Sequence, residues 1–184
     1  MKKVLLHTCC GPCTTYVNKW LKENGFEIKG LFYNPNIRPQ EEYERRFITM
    51  EYYATSVGLK VIYPHTKDFG VGVYEPNDLE TTLGDCENCY RVRLAKTAAF
   101  AKKLGYDSFS TTLLISPYQK HEVLKRVGEE VGKESGVEFL YRDFRDGYRA
   151  SRQMLKEMKL YMQKYCGCGV DLIAQKEKVY AKAN

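Results

Sequence analysis

Seven cysteines stand in three tight groups: Cys9, Cys10 and Cys13; Cys86 and Cys89; Cys166 and Cys168. The thiolate form of cysteine is both a metal ligand and a nucleophile, and a helix N-terminus favours it. Cys86-Glu87-Asn88-Cys89 is a C-x-x-C at the start of a predicted helix, a spacing that lets two thiolates reach one metal or cluster. Iron–sulfur clusters are usually held by four thiolates, which pairs from two separate loops can supply. Cys166-Gly167-Cys168 offers a different chemistry. Cysteines two residues apart can close a strained bridge, and strained bridges are the labile, redox-active ones. The same pair could instead lend one thiolate to a cluster. A structural zinc site needs only four ligands, fewer than the chain provides. Inert buried cysteines would account for one of the seven, but not for three clusters.

The compartment decides how such cysteines are read. The opening MKKVLLHTCC has the outline of a lipoprotein signal, but its apolar run of Val4, Leu5 and Leu6 falls short of the about 7–15 residues a signal core needs. The run suits a buried first strand, and the protein is expected in the cytoplasm, with no membrane segment. Disulfides are rare there, and an odd cysteine count excludes a fully paired framework. The chain has 184 residues, 43% hydrophobic and 28% charged, enough for one globular domain over 1–184 with a real core. Its net charge of +6 permits a polyanionic partner without requiring one.

The elements that must position these groups alternate. Val4–His7, Ile28–Tyr33, Leu59–Tyr63, Ser108–Leu113 and Val137–Tyr141 are predicted strands, rich in β-branched and aromatic residues. A helix is predicted from about Pro12 to Gly25, Pro being suited to a first turn. In Gln40–Val57 the residues Tyr43, Phe47, Met50, Ala54 and Val57 form one helical face. Cys89–Leu104, stopped by Gly105, and Gln119–Glu134 are further helices. Alternation of this kind predicts an α/β fold: a mostly parallel sheet with helices on both faces, plus C-terminal helices. Sites in such sheets lie at the carboxyl ends of strands, near the reversal of strand order. The first strand runs into Cys9-Cys10-Gly11-Pro12-Cys13 at that edge.

A basic stripe completes the pattern. Arg145, Arg149, Arg152, Lys156 and Lys159 would share one face of a helix over Asp146–Gln163. Between residues 142 and 164, seven Lys and Arg face three acids, a local net of +4 beside the Cys166–Cys168 pair. A solvated helix face is the plain reading; a surface that grips phosphates is the functional one, with Tyr161 and Tyr165 able to stack on a base.

Six segments together resemble the cobalamin-independent epoxyqueuosine reductases of the QueH family. They are His7-Thr8-Cys9-Cys10-Gly11-Pro12-Cys13, Tyr33-Asn34-Pro35-Asn36-Ile37, Asp85-Cys86-x-x-Cys89-Tyr90-x-x-Arg93-Leu94, Thr111-Thr112-Leu113-Leu114-x-Ser116-Pro117-Tyr118-Gln119, Asp143-Phe144-Arg145-x-Gly147-Tyr148 and Tyr165-Cys166-Gly167-Cys168. The resemblance implies the last step of queuosine synthesis: the epoxide of a modified guanosine at the tRNA wobble position is reduced to the alkene, with loss of water. It implies a 4Fe–4S cluster, an additional iron ion beside it, and a fold like that of the adenine-nucleotide α-hydrolases. A low-potential donor such as ferredoxin or flavodoxin would be the electron source. On this reading Cys9, Cys10, Cys86 and Cys89 hold the cluster. Cys13 and Asp85 are candidates for the second iron, a carboxylate being a hard ligand; Asp85 is equally a candidate cap for the helix after it. Cys166 and Cys168 form the redox pair, Arg145, Arg149 and Arg152 meet tRNA phosphates, and His7 is either a proton donor or a satisfied core histidine. Two rivals use other chemistry. A nucleotide-dependent tRNA thiolase or ATP pyrophosphatase would need a glycine-rich loop after the first strand, where this chain has Cys9–Cys13. A zinc-stabilised RNA-binding module would carry zinc and no visible chromophore.

Overall fold

The computed structural model describes residues 1–64 and 84–169. The strands are β1 (Lys3–His7), β2 (Glu27–Leu31), β3 (Val61–Ile62), β4 (Ser108–Thr111) and β5 (Glu138–Phe139). The helices are α1 (Gly11–Glu23), α2 (Gln40–Val57), α3 (Cys86–Leu104), α4 (His121–Ser135) and α5 (Tyr148–Glu157). Every strand pair is parallel, and the order across the sheet is β3-β2-β1-β4-β5. Parallel neighbours need crossovers, and right-handed ones put α1 and α2 on one face and α3 and α4 on the other. The packing agrees: α1 lies against α2 and α5, and α3 against α4. This is the α/β architecture expected from the alternation.

β1 is central, with β2 on one side and β4 on the other, so the strand order reverses beside it. Covered on both faces, it reads as the unbroken run Val4-Leu5-Leu6 rather than as an alternation. The same core takes Val17 and Leu21 from α1, Leu94 and Ala98 from α3, and Leu124 and Val127 from α4. Each of these Val and Leu side chains contributes about 1.5–3 kcal/mol when fully buried. A second cluster of Phe32, Met50, Tyr53, Ala54 and Leu59 lies under α2, with Tyr43, Phe47 and Val57 at its margin, the face that the sequence periodicity picks out. Gly105 ends α3 in the left-handed region at φ 69°, the conformation a helix stop requires.

Three expectations are corrected. β4 stops at Thr111, whose hydroxyl accepts the amide of Leu113, so the chain enters a 3-10 turn at Thr112–Ile115 instead of continuing as a strand. β3 and β5 are two residues each, shorter than predicted. The helix expected over Asp146–Gln163 is α5, confined to Tyr148–Glu157. Arg145 sits in a preceding 3-10 turn (Arg145–Gly147), and Lys159 lies beyond the helix at φ 55°. The five basic residues therefore do not share one helical face. Of the expected C-terminal helices α5 is described, and the chain beyond residue 169 lies outside the described residues. Among the described residues, no helix is long and apolar enough to cross a membrane.

Candidate metal centre

The first cysteine group is built by the β1–α1 turn. Cys10 is the N-cap of α1 in extended conformation, and Pro12 occupies the first turn as the sequence suggests. Cys9 and Cys13 flank this cap, and the three Sγ atoms lie within 4.8 Å of one another. All three are buried. Thr112, the first residue of the 3-10 turn after β4, binds Cys9 twice: its hydroxyl accepts the Cys9 amide at 3.0 Å and donates to Cys9 Sγ at 3.3 Å. The site thus lies where strand order reverses. The thiols share their protons unevenly. Donation from Cys10 and Cys13 holds Cys9 well below the usual thiol range, whereas burial pushes Cys10 up and donation to its neighbours pushes Cys13 up. Cys9 is therefore the favoured thiolate. A buried group of three such soft donors can bind a metal ion.

The second group surrounds a cavity lined by Cys86, Cys89, Cys166 and Cys168 together with Asn36, Arg38, Asp85, Tyr90, Arg93 and Gln119. Cys86 and Cys89 occupy the first turn of α3. Asp85 is its N-cap, accepting the Asn88 amide at 3.0 Å while exposed at the cavity wall. Cys166 and Cys168 are not joined in a disulfide, and their sulfurs lie 3.5 Å apart. Gly167 between them has φ 126°, and a Cβ there would crowd the Asn36 amide at 3.0 Å. Burial raises the Cys89 thiol, opposed by the guanidinium of Arg93, which donates to Cys89 Sγ at 3.0 Å. The sequence-expected partition, with Cys9, Cys10, Cys86 and Cys89 in one set and Cys13 with Asp85 in another, draws on both groups.

Residues 160–168 form a strap between the groups, and a buried ion pair on α2 holds it. Arg46 and Glu42 meet at 2.7 Å, their side chains 2% and 5% exposed. Arg46 donates to the carbonyls of Tyr165 (2.8 Å) and Cys166 (3.2 Å), and it is near enough to Cys9 and Cys10 for its charge to act on both. Tyr161 donates to Glu42 at 2.6 Å, Tyr165 donates to the Arg38 carbonyl at 2.5 Å, and the Arg38 amide donates to Gly167 O at 2.8 Å. Gln163 reaches inward: its amide nitrogen lies 2.7 Å from Cys10 Sγ and 3.6 Å from Cys13 Sγ.

Other expected residues fall into place around this frame. His7 is fully buried; its Nε2–H donates to the Tyr33 carbonyl at 3.1 Å, so Nδ1 accepts from Thr111 at 2.8 Å. Burial, aided by the charge of Arg93, lowers its pKa to about 4, so it is a neutral, satisfied core histidine at pH 7. Arg145 is paired with Asp143, whereas Arg149 and Arg152 are exposed on α5. Tyr161 and Tyr165, considered as stacking rings, are tie points of the strap.

Sequence reasoning missed the roles of Glu42, Arg46, Arg93, Thr112 and Gln163. One signal was available: Glu42, Arg46, Thr49 and Tyr53 step by four, three and four, as a buried helix face does, and all four are buried. Gln163 had no such signal, because the strap has no period.

A family model described as epoxyqueuosine reductase QueH matches residues 4–172. A protein named epoxyqueuosine reductase QueH from Dehalococcoides mccartyi is 40% identical over 90% of this chain and 90% of its own length. One of the same name from Thermotoga maritima is 34% identical over 97% of this chain and 94% of its own. A third, from Streptococcus pyogenes, is 34% identical over 97% and 76%.

Proposed function

The chain belongs to the epoxyqueuosine reductase QueH family, and on that premise we propose that it reduces epoxyqueuosine in tRNA to queuosine with an iron–sulfur cluster held by its clustered thiolates. The observation that carries the cluster reading is the buried guanidinium of Arg93 donating to Cys89 Sγ. A buried arginine facing a sulfur is stabilised when that sulfur is an anionic ligand and costs free energy beside a neutral thiol. Arg46, although paired with Glu42, adds a longer-range electrostatic attraction for negative charge on Cys9 and Cys10. The donor set therefore suits an anionic cluster: soft thiolates from two loops with buried cations alongside. Cys9, Cys10, Cys86 and Cys89 are the proposed ligands of a 4Fe–4S cluster, and Cys13 and Asp85 those of an additional iron. When bound, this cofactor supplies electron transfer and an electrophilic metal for the epoxide oxygen.

The chain's own residues do the rest. Opening the epoxide to the alkene consumes two electrons and two protons and releases water. Oxidation of Cys166 and Cys168 to a disulfide forms one S–S bond and yields that same number of each, so the pair can close one turnover before a low-potential donor such as ferredoxin or flavodoxin resets it. Asn36, whose buried Oδ1 has no hydrogen-bond partner among the described residues, offers an acceptor to the substrate at the cavity wall. Arg149 and Arg152, with Arg145 beside them, are proposed to meet tRNA phosphates. The whole of 1–184 is read as one domain working in the cytoplasm, where its tRNA substrate would be found.

Anaerobic purification, reconstitution with iron and sulfide, and a visible spectrum test this reading. Iron, acid-labile sulfide and a brown chromophore are expected, with Cys86→Ala or Cys89→Ala bleaching the chromophore and abolishing turnover. Stoichiometric zinc in a colourless, sulfide-free protein would refute it.

A further inference from the structure

Among the described residues, only two aromatic rings are exposed: Tyr52, on the outer side of α2, and Tyr118, at 80% exposure. Tyr118 is held rigidly. The turn Ser116–Gln119 closes with the Gln119 amide donating to Ser116 O at 3.3 Å, Pro117 fixes its φ, and the Tyr118 amide donates to Ser116 Oγ at 3.3 Å. An apolar ring presented to water on a fixed turn gains nothing from folding. Its surroundings say what it meets. The chain entering this turn carries Thr112, bonded to Cys9, and the residue after Tyr118 is Gln119, which lines the four-cysteine cavity. Tyr118 therefore stands at the rim between the two cysteine groups.

Its partners are aromatic and cationic. The Tyr148 ring meets Tyr118 edge to face, centroids 6.1 Å apart at 80°, and is itself within electrostatic reach of Cys13. Arg152 donates to the Tyr148 hydroxyl at 3.2 Å, with its guanidinium 5.7 Å from the ring centroid. Arg142 and Arg145 are neutralised by Asp146 and Asp143, whereas no carboxylate pairs with Arg149 or Arg152 among the described residues. A free π-face beside the unneutralised guanidinium of Arg152 matches a nucleobase with its phosphate.

We propose that Tyr118, buttressed by Tyr148, is the stacking platform for an unpaired base next to the nucleoside being reduced. The inference rests on the RNA-modifying function given above and adds a recognition subsite to it. The platform fixes the RNA loop so that the target base enters the cysteine cavity.

The test uses reconstituted holoenzyme and an anticodon stem-loop RNA, with affinity read by fluorescence anisotropy. Tyr118→Ala is expected to weaken binding by about 5- to 150-fold, the worth of one stacked base. Tyr118→Trp should retain affinity and Tyr118→Leu should not. Placing an abasic nucleotide at each loop position in turn should reveal one position where the wild type binds as weakly as Tyr118→Ala and the two losses do not add. Equal affinity of the Ala variant, or additive losses at every position, overturns the proposal. So does unchanged RNA affinity with slowed reduction by added flavodoxin, which would make Tyr118 a protein-docking residue. If the wild type carries a cluster and reduces epoxyqueuosine while Tyr118→Ala matches it, this subsite alone fails. If the wild type does neither, the functional reading falls with it.

Discussion

Gln163 shows how one side chain can matter without touching substrate. Its amide N–H points at Cys10 Sγ and, at longer range, Cys13 Sγ, so it donates to sulfurs that become more negative on metal binding. Groups of this kind orient ligands and tune them, and their loss typically costs about 10–100-fold in metal affinity or activity. Gln163→Leu is expected to keep the fold and weaken metal retention by about that factor, read by competition with a chelator. Gln163→Glu, which sets a carboxylate against thiolates, should be worse. No residue-type pattern singles out this glutamine in the sequence, whereas the cysteines announce themselves by spacing. The difference is physical. A C-x-x-C is local, while Gln163 meets Cys10 across 153 residues through a segment without periodicity.

Among the elements, α2 carries both a core face and the anchor for the strap. Glu42 and Arg46 are a buried pair whose remaining hydrogen-bonding capacity goes to Tyr161 and to two main-chain carbonyls. Breaking such a pair leaves an uncompensated buried charge, so Arg46→Met or Glu42→Gln should each destabilise by about 3–5 kcal/mol in urea unfolding. The double variant should lose less than the sum. The same helix makes a prediction at high pH. Burial pushes Tyr53 up to about 12, while the Asn18 amide, donating to its oxygen, pulls the other way. An unfolded tyrosine titrates near 10. Between these values the folded state keeps a proton that the unfolded state has lost. Stability is thus intact below about pH 10 and falls by about 2 kcal/mol as pH rises towards about 12. Tyr53→Phe should remove that share of the alkaline slope. The apolar face of α2 was legible because its residues recur at helical spacing. The charged face is not legible in the same way, because charge reads as surface until its partners on a distant segment are known. The converse holds at α5, where a regular basic stripe suggests a helix through Gln163 but the helix ends at Glu157. Tertiary ties from Glu42 and Arg46 draw those residues out of the helix and onto the site.

For the molecule as a whole, the reversal of strand order beside β1 determines what meets what. It sets the β1–α1 cysteines against Thr112 after β4, and the general location of the site could be foreseen from the alternation of elements. The gathering of seven thiols into a buried three and a cavity-lining four could not, because it depends on where the strap lies. That strap also bears on how the protein is matured. The three thiols are at most 8% exposed, and Gln163 sits over two of them, so a folded apoprotein presents a closed door to an incoming metal. Cofactor insertion should accordingly precede, or wait upon, the undocking of residues 160–168. Apoprotein loading followed by absorbance should accelerate in sub-denaturing urea and in Arg46→Met, whose strap has lost its clasp. An identical rate in all three would mean that metal enters by a route that bypasses it.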